Sequence, residues 1–389
     1  MGHASLLSGI VIALFGAAAS APAAGLSTAQ IEKITQVASQ ARETYHLPAL
    51  SVAVARDGKI WTAAFGLADL EQSVPATPQS RFRTASIGKW FTATAAMRLA
   101  EDGRLDLDAP VQQYCPQYPV KPWPVTSRQL LSHLAGVRHY YGDNGEQADT
   151  EVQRAALFAQ VERERAGQFV RHTDMLGPLN IFKDDPLLFE PGTRSHYSSL
   201  GYRLLGCVLE GAGQEPYRQL MRELVFAPAG MDSITDDDAR ALVPHRVAGY
   251  SHGPADSVLR AEFRDVSENL PAGGWLATSQ DLARFAVAFA RGELVKPATR
   301  DLMVQRPLLK DGTPAPNPLP FPNYYYGMGV MVGPLDGNPA WFHTGGQSGT
   351  TALLYWYPDS GVAVALMTNL DGRAINEELA ARIAAVAGG

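Results

Sequence analysis

Ser51-Val52-Ala53-Val54-Ala55-Arg56-Asp57-Gly58-Lys59-Ile60-Trp61-Thr62-Ala63-Ala64-Phe65-Gly66-Leu67 is the stretch that decides the fold. Two strand-like runs, Ser51 to Ala55 and Ile60 to Leu67, flank Asp57-Gly58, a dipeptide that tolerates the positive φ angles of a two-residue hairpin turn. So short a turn forces antiparallel pairing, because a parallel crossover takes a dozen residues or more. Ahead of the hairpin, Ser27-Thr28-Ala29-Gln30 reads as a capping box, and Ile31, Ile34, Val37, Ala38 and Ala41 fall on one helical face. At the far end Gly327 to Val332, Ala340 to His343, Thr351 to Tyr357 and Val362 to Thr368 read as strands, and a helix follows from about Ala374 to Val386. The two chain ends therefore predict one antiparallel sheet flanked by N- and C-terminal helices, an α+β arrangement. Residues 24–95 and 325–389 form the sheet domain in this reading, and 96–324 an inserted, mainly helical domain. A ligand cleft is expected between them.

Composition narrows the function classes. With 46% hydrophobic and 19% charged residues the 389-residue chain is of globular type, not disordered, collagenous or coiled-coil. A net charge of -6, with Lys and Arg scattered, leaves no electrostatic footprint for a nucleic-acid backbone. Residues 1–23 read as a signal peptide: Leu6 to Ala19 is a short apolar run and Ala21-Pro22-Ala23 a small-residue cleavage site, although the start carries His3 and no Lys or Arg. A periplasmic or secreted location follows, with no membrane span in the mature chain. Cys207 reads as a small buried hydrophobe. A Cys115–Cys207 disulfide is permitted by an oxidising compartment but not required by the spacing. The nine histidines are dispersed without metal-ligand spacing, and neither a complete dinucleotide fingerprint nor a Gly-x-Ser-x-Gly elbow occurs, so no cofactor or metal is expected.

What remains is Ser86-Ile87-Gly88-Lys89, heading a helical run that ends near Gly103. Serine and lysine at i and i+3 share a helix face. An amine one turn away can take the proton of a serine hydroxyl if burial lowers its pKa. The bland reading of Ser86 is a helix N-cap. Two further stretches stand beside it: Tyr197-Ser198-Ser199 at a loop-to-helix junction, and His343-Thr344-Gly345-Gly346 at the end of a strand.

These three elements in this order resemble the serine β-lactamase-like and penicillin-binding family, especially mitochondrial serine β-lactamase-like proteins and their bacterial relatives. Leu130-Leu131-Ser132-His133-Leu134-Ala135-Gly136 and Gly273-Gly274-Trp275-Leu276-Ala277-Thr278 add to the likeness. The resemblance implies the β-lactamase/transpeptidase-like fold, Ser86 as acylated nucleophile, Lys89 as base and Tyr197 as proton shuttle with a lowered phenol pKa. It implies an oxyanion hole from the Ser86 and Gly346 amides, with Ser199, His343, Thr344 and Gly345 around the substrate. His133 reads as a loop-fixing residue, and Glu151 to Arg171 as a solvated helix beside the cleft.

The chain departs from the β-lactamases at two places. His343 stands where they carry the lysine of Lys-Thr-Gly, and Ser199 where they carry the asparagine of Tyr-x-Asn. A histidine mostly neutral above about pH 6.5 is expected to weaken recognition of a substrate carboxylate. The resulting expectation is an exported serine hydrolase that cleaves a small peptide-like amide or ester through an acyl-enzyme on Ser86, with a β-lactam as the substrate of the alternative reading. Alternatives are a β-lactamase or D-Ala peptidase, and an inactive binding or scaffold member. Oligomeric state is not readable.

Overall fold

The computed structural model describes residues 18–19, 25–142, 148–319, 323–372 and 374–389. The remainder of the 1–23 leader reading lies outside the described residues. Helix α1, Thr28–Thr44, opens on the expected capping box, with Ser27 and Gln30 satisfying each other's backbone N–H groups. Strands β1, Ala49–Arg56, and β2, Lys59–Asp69, form the hairpin around Asp57 and Gly58, both at positive φ. Helix α2, Gly88–Glu101, runs through the body of the molecule. It is followed by α3, Glu151–Gly167, α4, Ser199–Gly213, and α5, Ser279–Ala290. The chain then returns to the sheet as β3, Met331–Leu335, β4, Asn338–Gln347, β5, Thr350–Tyr357, and β6, Val362–Thr368, and ends in α6, Glu377–Gly388.

The order across the sheet is β2-β1-β6-β5-β4-β3, antiparallel throughout, so first and last segments meet where β1 pairs with β6. Alternation of side chains gives the central strands two different faces. Leu50, Val52, Val54, Val362, Val364 and Leu366 pack under α1 and α6. Ala53, Ala55, Ala363 and Ala365 face α5 and the helical body, where small side chains let a helix lie close. The Ser51 and Ser279 hydroxyls hydrogen-bond across that contact at 2.8 Å. Each buried Val or Leu contributes roughly 1.5–3 kcal/mol relative to exposure.

Helix α2 is buried on every side from Gly88 to Met97, as an all-round apolar helix must be. Trp90 stands edge-on to Phe285 and Phe289, with ring centroids 5.4 and 5.1 Å apart.

Three sequence expectations need correction. Cys207 is not a free core thiol: it is bonded to Cys115 across 92 residues, tying the loop after α2 to α4. Gly327 to Val330 is not strand, because Gly329 turns at positive φ and packs so closely on α2 that a Cβ would overlap Ala93. The final helix begins at Glu377, capped by Asn376, rather than at Ala374.

Candidate active site

Ser86 sits in a tight turn, Ala85–Ile87, that leads directly into α2. It is not an N-cap. Ala85 holds φ 45°, a left-handed conformation that costs a non-glycine residue about 1–2 kcal/mol. Two glycines enforce the turn. A Cβ on Gly273 would lie 2.1 Å from the Ala85 carbonyl oxygen, and one on Gly345 would lie 2.5 Å from that of Thr84. The turn is thus pressed between the loop before α5 and strand β4, and both positions require the residue without a side chain.

Lys89, one helical turn on, is fully buried, and its Nζ donates to Ser86 Oγ and to the Ala272 carbonyl, each at 3.1 Å. Among the described residues no carboxylate pairs with it. Burial therefore holds its pKa well below the usual ammonium value, with the Arg203 charge adding to the effect.

Tyr197 lies across the same space, its ring centroid 4.9 Å from Lys89 Nζ and its hydroxyl hydrogen-bonded to Ser86. The expected fall in its pKa does not occur: burial raises it. Within this trio the lysine, not the tyrosine, is the group whose surroundings favour the proton-accepting form.

The loop preceding α3 fixes Tyr197. His133, itself at φ 59°, accepts from Ser198 N through Nδ1 at 3.1 Å, and its carbonyl accepts from His196 N at 2.9 Å. This is the loop-fixing role read from sequence. His139 Nδ1 accepts from Ser199 N at 3.2 Å, and Ser198 caps α4 through Gly201 N while donating to the Arg138 carbonyl. Arg138 is anchored in turn by Glu164 of α3 and by Asp185. One face of α3 therefore supports the wall of the site, although most of that helix is exposed as expected.

His343, Thr344, Gly345 and Gly346 lie at the end of β4 as expected, with only Gln347 after them before the turn, and pair with Leu354, Leu353, Ala352 and Thr351. Thr344, Gly345 and Gly346 line a cleft of about 580 Å³ together with Ser86, Tyr197 and Ser199. His343 does not face that cleft. It is fully buried, with Nδ1–H donating to the Thr344 carbonyl at 2.7 Å and Nε2 accepting from the Tyr326 hydroxyl at 2.9 Å. Burial first, then the Lys89 charge, push its pKa down to about 3. The imidazole therefore presents no charge to the cleft, in line with a histidine that offers little to a substrate carboxylate.

Sequence reasoning missed a buried polar wall of the same cleft, formed where Tyr140, Glu268 and Asn269 line it. Arg203, 1% exposed, makes a bidentate pair with Glu268, and its Nε donates to Asn269 Oδ1 at 3.3 Å. Tyr140 donates to the same oxygen at 3.2 Å and is itself hydrogen-bonded by Ser199. The available signal was an arginine within the otherwise apolar run of α4, one turn after Ser199. Among the described residues no group of His, Cys, Asp and Glu could hold a metal ion, and no helix is long and apolar enough to cross a membrane.

The beta-lactamase family model matches residues 34–388. The chain is 28% identical over 311 residues to the human mitochondrial serine beta-lactamase-like protein LACTB, covering 67% of this chain but only 57% of that relative's length. It is also 28% identical to penicillin-binding protein 4 of Amycolatopsis lactamdurans, over 84% of this chain and 82% of that one. A D-stereospecific amidohydrolase from a Streptomyces species superimposes with a TM-score of 0.69 at 25% identity, covering 87% of this chain and 94% of that structure.

Proposed function

The chain belongs to the beta-lactamase family, and from that premise we propose that it is an exported serine hydrolase cleaving a peptide-like amide or ester through an acyl-enzyme on Ser86. The observation that carries this reading is a fully buried, carboxylate-free Lys89 amine 3.1 Å from the Ser86 hydroxyl. In its neutral form that amine takes the Oγ proton as Ser86 attacks the substrate carbonyl carbon. The backbone N–H groups of Ser86 and Gly346 hold the oxyanion, and Thr344 contacts a neighbouring polar group of the substrate. Collapse breaks the bond to the leaving group, which takes a proton from the Tyr197 hydroxyl. Lys89 then returns its proton to Tyr197. Water, deprotonated by Lys89, hydrolyses the ester on Ser86 and restores the serine. Tyr197 acts here as a neutral donor and not as a phenolate base.

The Cys115–Cys207 disulfide supports an oxidising compartment, hence a periplasmic or secreted location. A peptide or ester is favoured over a β-lactam because the neutral, buried His343 offers no charge to a β-lactam carboxylate.

The test is intact-protein mass after incubation with p-nitrophenyl esters, D-amino-acid amides and nitrocefin. An adduct of acyl mass is expected from an ester or amide, absent in Ser86→Ala. No adduct and no turnover with any of these compounds would instead mark an inactive binding member.

A further inference from the structure

The lining of the cleft that holds Ser86 includes a side-chain amide that can point only one way. Asn269 lines the cleft together with Ser86, Tyr197 and Ser199. Its Oδ1 receives hydrogen bonds from Arg203 Nε and from the Tyr140 hydroxyl. Arginine carries donors and no acceptor, so turning the amide over would set an N–H group against a guanidinium N–H. Arg203 in turn is fixed by two bonds to Glu268, both residues being buried. The backbone of Asn269 is held as well, its N–H donating to the Val266 carbonyl and its carbonyl accepting from Gly274 N. The Nδ2 group is left as a donor with no acceptor among the described residues.

Glu268 and Asn269 belong to the segment that also builds the floor beneath Ser86. Ala272, three residues beyond Asn269, accepts from Lys89 Nζ, and Gly273 follows it under the Ser86 turn. The position of the Asn269 amide is therefore rigidly related to that of Ser86.

We propose that Asn269 Nδ2 is a specificity-determining donor that takes a second carbonyl oxygen of the substrate, beyond the scissile one, as an N-acylamino group supplies. The proposal rests on the reading of Ser86 as the acylated serine for its catalytic consequence, but its binding consequence does not. A donor fixed before the ligand arrives costs no reorganisation and rewards an acceptor by roughly one hydrogen bond. Ligands lacking the acceptor must leave that donor to water.

The experiment compares two neutral ligands, N-acetylphenylalanine methyl ester and methyl 3-phenylpropanoate, which lacks the acylamino group. Dissociation constants are measured by calorimetry in the Ser86→Ala background, and kcat/KM with Ser86 present. The acylamino ester is expected to bind at least tenfold more tightly. Asn269→Asp keeps the two accepted bonds and removes the donor, and is expected to reduce the ratio of affinities, and that of kcat/KM, about tenfold or more. Asn269→Ala is expected to do the same, and a melting curve identifies either variant that has not folded. Equal affinity for the two ligands, or a ratio unmoved by both substitutions, overturns the proposal. Preferential binding without an adduct on Ser86 would overturn the hydrolase reading and leave the Asn269 subsite standing.

Discussion

Two fully buried cations stand behind the lining of one cleft, and their surroundings treat them in opposite ways. Lys89 in the floor meets a hydroxyl and a carbonyl. Arg203 in the wall meets a carboxylate, an amide oxygen and a phenol. A cation without a counter-charge is held only at the cost of desolvation, and lysine can escape that cost by releasing its proton. Arginine cannot, so it must be paired. The floor is thus built to let a proton leave the amine, and the wall to fix charge and hold geometry.

The largest effect should come from erasing this difference. Lys89→Arg keeps a cation near Ser86 but forbids its deprotonation, and should lower kcat on ester substrates by about 10²–10⁴-fold, no less than Lys89→Ala. Activity within tenfold of the original in a kinetic assay would mean that charge, not proton acceptance, is what the floor supplies.

The wall responds in stability. Arg203→Met leaves Glu268 buried and unpaired, and should cost about 3–5 kcal/mol in denaturant unfolding. Adding Glu268→Leu should recover most of that loss. A double variant as unstable as the single one would show that packing, and not the charge, sets the cost.

A smaller effect separates the sites by pH. His139 and His343 are both buried with pKa values lowered to about 3. The unfolded chain therefore binds their protons first as pH falls below about 6.5, and stability is lost progressively between pH 6.5 and 3. From pH 7 to 5 each should remove about 2 kcal/mol, measured by chemical denaturation. His343→Asn is expected to reduce that loss by one such share. The smallest expected effect is on specificity: the ratio of anionic to neutral ester turnover should stay within twofold from pH 5.5 to 8.5 as far as His343 is concerned, in both the original chain and His343→Asn.

The sheet was readable because short, nearly continuous apolar runs and Asp57-Gly58 act locally, and β1 and β2 lie where those signals put them. Ser86, Lys89 and Tyr197 were readable as motifs, and the structure brings them together. Their protonation was not, since it depends on burial created by remote segments. Tyr197 carries the same phenol on any surface, and only enclosure raises its pKa. The wall was hidden for a related reason: Arg203, Glu268 and Tyr140 come from three separate stretches, and no local spacing links an arginine in one to a glutamate 65 residues away. Cys115 and Cys207 were similarly silent, because spacing in sequence does not encode proximity across 92 residues.

The turn gripped between Gly273 and Gly345 also bears on how the molecule comes into being. The contact of Lys89 with Ala272 closes 183 residues of chain, and that of Arg83 with Ser348 closes 265. Contacts so remote are slow to form, since their loop-closure entropy must be met before they contribute anything. Until both glycine segments arrive, Ser86 is an ordinary alcohol and Lys89 a solvated ammonium. On the proposed role of Ser86, a serine-directed covalent probe is expected to label only chains in which both glycine segments have docked.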